Sequence, residues 1–359
     1  MHPLRRSPRP APHRSPRQLL RSRRALSAGD PAGLPDPRRT GAGLQPAEPV
    51  REAHRRGAGG VSGNDGRTGR ASAPVHHGEI LQGVFAHQGN LHRGLVTLPC
   101  ALYSVRASFT PGRACLTVFP RWKSKAKRAA ELALAELGLP AHGHLGVSDD
   151  VPLRRGFGSS TGDVLASIGA VQEAFSSPLP TATVARLAVK AEGASDSVMF
   201  TSTTVLFAHR DGEVIEDFGY PLPPLRVLGF GSAPGSTGDG VDTLALPSTR
   251  YSPEEVRRFA ELRTVLRRAV LTKDVGLLGE VATASARINQ HRLPIPRFER
   301  LLSIAEEAGA VGVQTAHSGD IAGLLFDRDD LAVDSRTMHA QGLLRDAGMI
   351  EHWEFSTDD

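Results

Sequence analysis

Residues 152–163 read PLRRGFGSSTGD, with three glycines, two serines and a threonine in the seven positions 156–162. Such a stretch has three chemical uses. Glycines let backbone N–H groups converge on an anion, a following helix start adds a positive dipole end, and hydroxyls can bond phosphate oxygens or reach Mg²⁺. Alternatively, GSSTG (158–162) satisfies GxSxG with Ser160 at its centre, the pattern of a nucleophilic serine. The third use is a capped turn into a core helix. A Walker A loop is excluded, because GxxxxGK[ST] needs a lysine that this stretch lacks, and the spacing is not GxGxxG. An elbow needs a buried apolar strand directly before it, whereas DDVPLRRGF is charged and broken by proline.

The loop must be positioned by its neighbours. Val164, Leu165, Ile168, Val171 and Phe175 recur at helical spacing after it, with Ser160 or Thr161 as the expected cap. Before it, the spacing predicts strands at 95–99, 102–109 and 114–119, the last two split by a TPGR turn. A helix at 123–139 and a strand at 144–148 follow. Further on, the pattern predicts a helix at 181–193 and a hairpin at 203–218 turning at Asp211-Gly212. A strand at 225–231 leads to a glycine-rich boundary at 233–247. The second half reads as helices at 253–271, 274–292, 296–308 and 335–347, with strands at 310–314 and 321–326. Strands and helices mix without strict βαβ alternation, so the expected class is α+β in two lobes.

Several segments now carry a resemblance. PLRRGFGSSTGD resembles the second motif of the GHMP kinases, PVHHGEILQG (74–83) the first, KAEGASDSVMF (190–200) the segment with the catalytic aspartate, and GAVGVQTAHSGDIAGLLFD (309–327) the C-terminal glycine-rich motif. HGEILQG, DSVMF, GVDTL, INQHRLP and AHSGDIAGLL resemble the L-threonine kinase branch of that family, which serves cobalamin side-chain synthesis. His76 and His77 stand where the branch typically has small residues or Cys.

The resemblance implies a two-lobed fold: an N-terminal lobe like ribosomal S5 domain 2 over 71–235, and a ferredoxin-like C-terminal lobe over 236–359. It implies an ATP- and Mg²⁺-dependent enzyme that phosphorylates the hydroxyl of an amino-acid-like alcohol, L-threonine foremost. Gly156, Phe157, Gly158, Ser159, Ser160, Thr161 and Gly162 would hold the triphosphate, and Ser160 and Glu192 the Mg²⁺. Asp196 would orient the acceptor hydroxyl and take its proton. His77, Glu79 and Gln82 from the first motif, and Asp242, Thr243, Asn289, Gln290, His317 and Ser318 from the second lobe, would shape the acceptor pocket. The competing readings are a serine acyl hydrolase built on Ser160 and a non-catalytic metabolite-binding protein of the same fold.

Composition narrows the partners. Residues 1–70 hold 15 Arg, no Lys and five acidic residues, about +10, whereas the rest of the 359-residue chain carries about −5. No aromatic precedes Phe85, and ten of the 26 prolines precede Val50. Such a segment cannot bury enough apolar surface to offset its ordering entropy, so 1–70 is expected to be disordered. It offers no ring to stack on bases, so nucleic acid is not an expected partner. No apolar run reaches about 18 residues, so no membrane span is expected. The only cysteines, Cys100 and Cys115, read as reduced, which fits a cytoplasmic location.

Overall fold

The computed structural model describes residues 67–152, 155–231, 251–316 and 321–358. The disorder expected for 1–70 falls almost wholly outside them. So do the glycine-rich boundary at 233–247, the lobe division at 235/236 and the site candidates Asp242, Thr243, His317 and Ser318.

The strands are β1 (Gly69–His87), β2 (Asn90–Cys115), β3 (Thr117–Phe119), β4 (His142–Asp149), β5 (Val205–Ala208), β6 (Glu213–Asp217), β7 (Leu225–Gly231), β8 (Gly312–Thr315), β9 (Ile321–Asp327) and β10 (His352–Ser356). The helices are α1 (Ser124–Glu136), α2 (Ser159–Ala174), α3 (Thr181–Glu192), α4 (Pro253–Thr272), α5 (Val275–Asn289), α6 (Phe298–Ala308) and α7 (Val333–Asp346). The strands form one sheet in the order β10-β7-β9-β8-β1-β2-β4-β3, with β5 joining β2 to β6. The β10–β8 group meets the β1–β3 group at a single residue pair, Glu79↔Thr315.

Three expectations change. The strands at 102–109 and 114–119 are not split by a turn at TPGR. Those residues run inside β2, where the ladder to β4 skips from Thr110↔His144 to Cys115↔His142. Proline is tolerated in a strand at such an irregularity, where no ladder bond is asked of its nitrogen. Second, α2 starts at Ser159 with Gly158 as N-cap, and no side chain caps it. The hydroxyls expected to cap are engaged elsewhere, as described below. Third, β10 was not anticipated; it pairs antiparallel with β7 from His352↔Phe230 to Ser356↔Arg226.

Two apolar cores hold the elements in place. The larger packs α1, α2, α4 and α5 on the sheet through Phe85, Phe109, Leu145, Ile168 and Phe259, each fully or nearly fully buried. The smaller joins α6 and α7 to β7 and β9 through Phe230, Leu301, Ile304, Phe326 and Leu344. Each such side chain contributes about 1.5–3 kcal/mol of burial. The stripe read from the sequence places α2 against β1 and β2, with Gly162 close on Val105 and Gly169 on Ala71. That packing fixes where the start of α2 points. The start of α4 is fixed by a capping box between Ser252 and Glu255, with Pro253 at the first turn.

Candidate active site

The site forms where β1, the start of α2 and the end of α3 meet. Gly158 sits in the left-handed region (φ 68°), and a Cβ there would lie about 2.0 Å from the His76 ring. Glycine is therefore required twice over, by backbone conformation and by the histidine beside it. The loop is also tied to β1 by the His76 N–H, which donates to the Phe157 carbonyl at 3.1 Å. With no side-chain cap, the first amides of α2 present a positive dipole end at the loop.

Both hydroxyls in the first turn of α2 meet carboxylates. Ser160 Oγ donates to Glu192 Oε2 at 2.8 Å. Thr161 Oγ1 lies 3.0 Å from Glu192 Oε1 and 3.1 Å from Asp196 Oδ2. A hydroxyl carries one proton, so Thr161 can donate to only one of these carboxylates at a time. Burial, and then the nearby Asp196 charge, push the Glu192 carboxyl up to about 7, above the usual range. Glu192 ends α3, and Gly193 (φ 87°) turns the chain so that Asp196 follows on the same side.

Asp196 is further held by His76, whose Nε2 lies 2.9 Å from Oδ2. His76 Nδ1 accepts from the Gly78 N–H at 2.9 Å, which places the ring proton on Nε2, facing Asp196. Glu79 stands on the other side, 3.9 Å from His76 Nδ1. Burial opposes the His76 cation, but the Asp196 and Glu79 charges outweigh it and raise the ring to about 9. The Gly78 bond belongs to the neutral ring and is lost once Nδ1 takes a proton, but the Nε2–H faces the aspartate in both states.

The sequence pointed to His77, but the structure places His76, not His77, beside Asp196. His77 is fully buried, in edge or tilted contact with Phe157, Trp353 and Phe355, with Nδ1 2.9 Å from Gln314 Oε1. It packs the core and does not line the site. Burial lowers its imidazole to about 4. Between pH 6.5 and 4 the unfolded chain takes a proton that the folded ring refuses, so stability falls as pH falls, by about 3 kcal/mol at pH 4. In urea melts across this range, a His77→Gln variant should lose that share of the acid sensitivity; an unchanged pH slope would contradict it.

Of the other candidates, Glu79 and Gln82 line a pocket with Ser285, Asn289, Leu293 and Thr315. Gln290 is drawn off instead: its Oε1 accepts from the Ile295 N–H and its Nε2 donates to the Ala286 carbonyl. Its neighbour Asn289 faces the pocket and donates to the Gln82 carbonyl at 2.9 Å. The loop residues 156–162 are together as expected, but Phe157 is turned into the aromatic cluster. Ser160 donates its proton to Glu192 and accepts from Lys125, with no histidine among its hydrogen-bond partners. A further set was missed: Lys123 Nζ reaches Asp163 Oδ1 at 2.7 Å and Asp149 Oδ2 at 2.5 Å, with only 2% of its side chain exposed.

The GHMP kinases N terminal domain matches residues 124–203, and the GHMP kinases C terminal domain matches residues 266–342. The chain belongs to the GHMP kinases and is an ATP-dependent phosphotransferase that acts on a hydroxyl group of a small molecule. Among relatives, it is 29% identical to the L-threonine kinase of Salmonella typhimurium, over 79% of this chain and 90% of that protein. It is 28% identical to the L-threonine kinase of Citrobacter freundii, over 79% and 93%. The fold matches the crystal structure of homoserine kinase from Cytophaga hutchinsonii with a TM-score of 0.55, at 15% identity, over 80% of this chain and 93% of that one. Among the described residues, no helix is long and apolar enough to cross a membrane.

Proposed function

We propose that the chain transfers the γ-phosphoryl group of ATP to the hydroxyl of L-threonine, with Asp196 orienting that hydroxyl and accepting its proton. The observation that carries this reading is the cluster at the start of α2, where Thr161 Oγ1 bridges Glu192 and Asp196. It puts a candidate base beside a bare-backbone helix entrance. The choice of threonine is supported by the likeness to L-threonine kinases along most of the chain.

The residues fit ATP and Mg²⁺. The amides at the start of α2 and the left-handed Gly158 suit a polyphosphate. The His76 ring meets Asp196, while Glu192 has hydroxyls as its partners, so Glu192 and Ser160 offer the oxygen ligands that a divalent cation takes. Ser160 and Glu192 are assigned to hold it. When bound, Mg²⁺ neutralises the charge on the oxygens of the transferring group. The protein's own part is positioning. His76 Nε2–H and Thr161 fix the Asp196 carboxylate, and a carboxylate so fixed meets the acceptor hydroxyl in one orientation. Until a cation arrives, Glu192 can keep a proton near neutral pH and so spare the pair full like-charge repulsion. Gln82 and Asn289 are assigned to the acceptor side, and residues 71–235 to the nucleotide lobe.

The test measures ADP release with L-threonine, L-serine and L-homoserine, and identifies the product by ³¹P NMR. Equal amounts of ADP and O-phospho-L-threonine are expected, with threonine the best acceptor. Turnover of homoserine without threonine would overturn the acceptor and leave the kinase.

A further inference from the structure

The glycine loop has no lysine of its own, yet a lysine stands over it. Lys125, in the first turn of α1, is exposed and its Nζ lies 3.3 Å from Ser160 Oγ. Ser160 gives its proton to Glu192, so its oxygen accepts from Lys125. Among the described residues, Lys125 makes no other hydrogen bond and no ion pair. Among the described residues, the other basic one beside the loop, Arg155, is paired with Glu351 at 2.9 Å.

Two residues earlier, Lys123 is spent inward on Asp149 and Asp163. Positions two apart on a helix face different ways, so a buried lysine at 123 turns the one at 125 outward along the loop. Asp163 lies in α2 directly after the loop, and its pairing with Lys123 pins α1 to α2. That pin also keeps an uncompensated negative charge away from the helix start that must face an anion.

We propose that Lys125 binds the terminal phosphates of the nucleotide, doing from α1 what a loop lysine does in a Walker A site, and that the Lys123–Asp163 pair positions it. The proposal rests on the loop at 156–162 being the nucleotide site. A lysine there acts as a flexible point charge on phosphate oxygens. Its effect must scale with the number of phosphates and vanish for the nucleoside.

The test compares binding of ATP, ADP and adenosine, with Mg²⁺ present, to the wild-type chain and to Lys125→Met, Lys125→Arg and Gly158→Ala variants. Lys125→Met should weaken ATP about 10- to 100-fold. It should weaken ADP less and leave adenosine unchanged, and Lys125→Arg should restore most of the loss. In steady state, the KM for ATP should rise more than the KM for the acceptor. Wild-type ATP affinity in Lys125→Met, or equal weakening of ATP and adenosine, would overturn the proposal. If Gly158→Ala loses ATP while Lys125→Met does not, the proposal fails and the loop reading stands. If neither variant changes ATP binding, the loop reading fails and takes the proposal with it.

Discussion

An Asp196→Asn variant should fold normally and lose about 10²- to 10⁴-fold in kcat, the usual contribution of a positioned proton acceptor. The substitution keeps size and shape. The amide oxygen can still accept from His76 Nε2–H, so the loop and β1 stay in register. What disappears is the capacity to take a proton from the acceptor hydroxyl. The first-turn hydroxyls and Glu192 are untouched, so the KM for ATP should move little. Steady-state kinetics on the variant, with a thermal melt matching the wild type, make the measurement. Activity within a few-fold of wild type would remove Asp196 from the mechanism.

The second large effect is on stability. Lys123→Met leaves Asp149 and Asp163 facing one another with their shared cation gone, in a place where the lysine side chain was 2% exposed. Breaking a buried ion pair from one side costs about 3–5 kcal/mol. For a folded region of this size that is a fall of roughly 10 °C in Tm. Burial pushes the Asp163 carboxyl up to about 6, while the Lys123 bond pulls the other way. Without the lysine only the upward push remains, so the variant's carboxyl takes its proton at a higher pH than the wild type's, and the deficit should shrink as pH falls towards 6. A Lys123→Met/Asp163→Leu double variant should recover much of the loss. Urea melts at pH 5 and 7.5 decide it, and a deficit under 1 kcal/mol at pH 7.5 would show that the pair holds nothing together.

The parts legible in the sequence were those with local signals. Apolar stripes at helical spacing marked α2, α3 and α4, Asp211-Gly212 marked the β5–β6 turn, and the glycines of 156–162 marked the helix entrance. The parts that were not legible depend on contacts between distant residues. Nothing near Lys123 announces Asp163, forty residues on, because the pair exists only once α1 and α2 are side by side. The choice between His76 and His77 depends on how β1 runs past Gly78, whose positive φ accompanies a break in the ladder between His76 and Glu79. That irregularity has no sequence mark beyond the glycine. One signal was available and only half used: Asn289 was a candidate, but its spacing from Ser285 was not read. Ser285 and Asn289 are four residues apart and share a helix face, and both bond to Gln82, whereas Gln290 lies off that face.

The contact between Gly158 and the imidazole at 76 also constrains how this chain can change over generations. The ring fills the space that a methyl group at 158 would need, and it also steadies the aspartate. Position 158 cannot grow while a histidine stands at 76, because a larger residue there evicts the ring. Related sequences that keep a histidine at 76 should therefore keep glycine at 158, a pattern readable from an alignment with no assay at all.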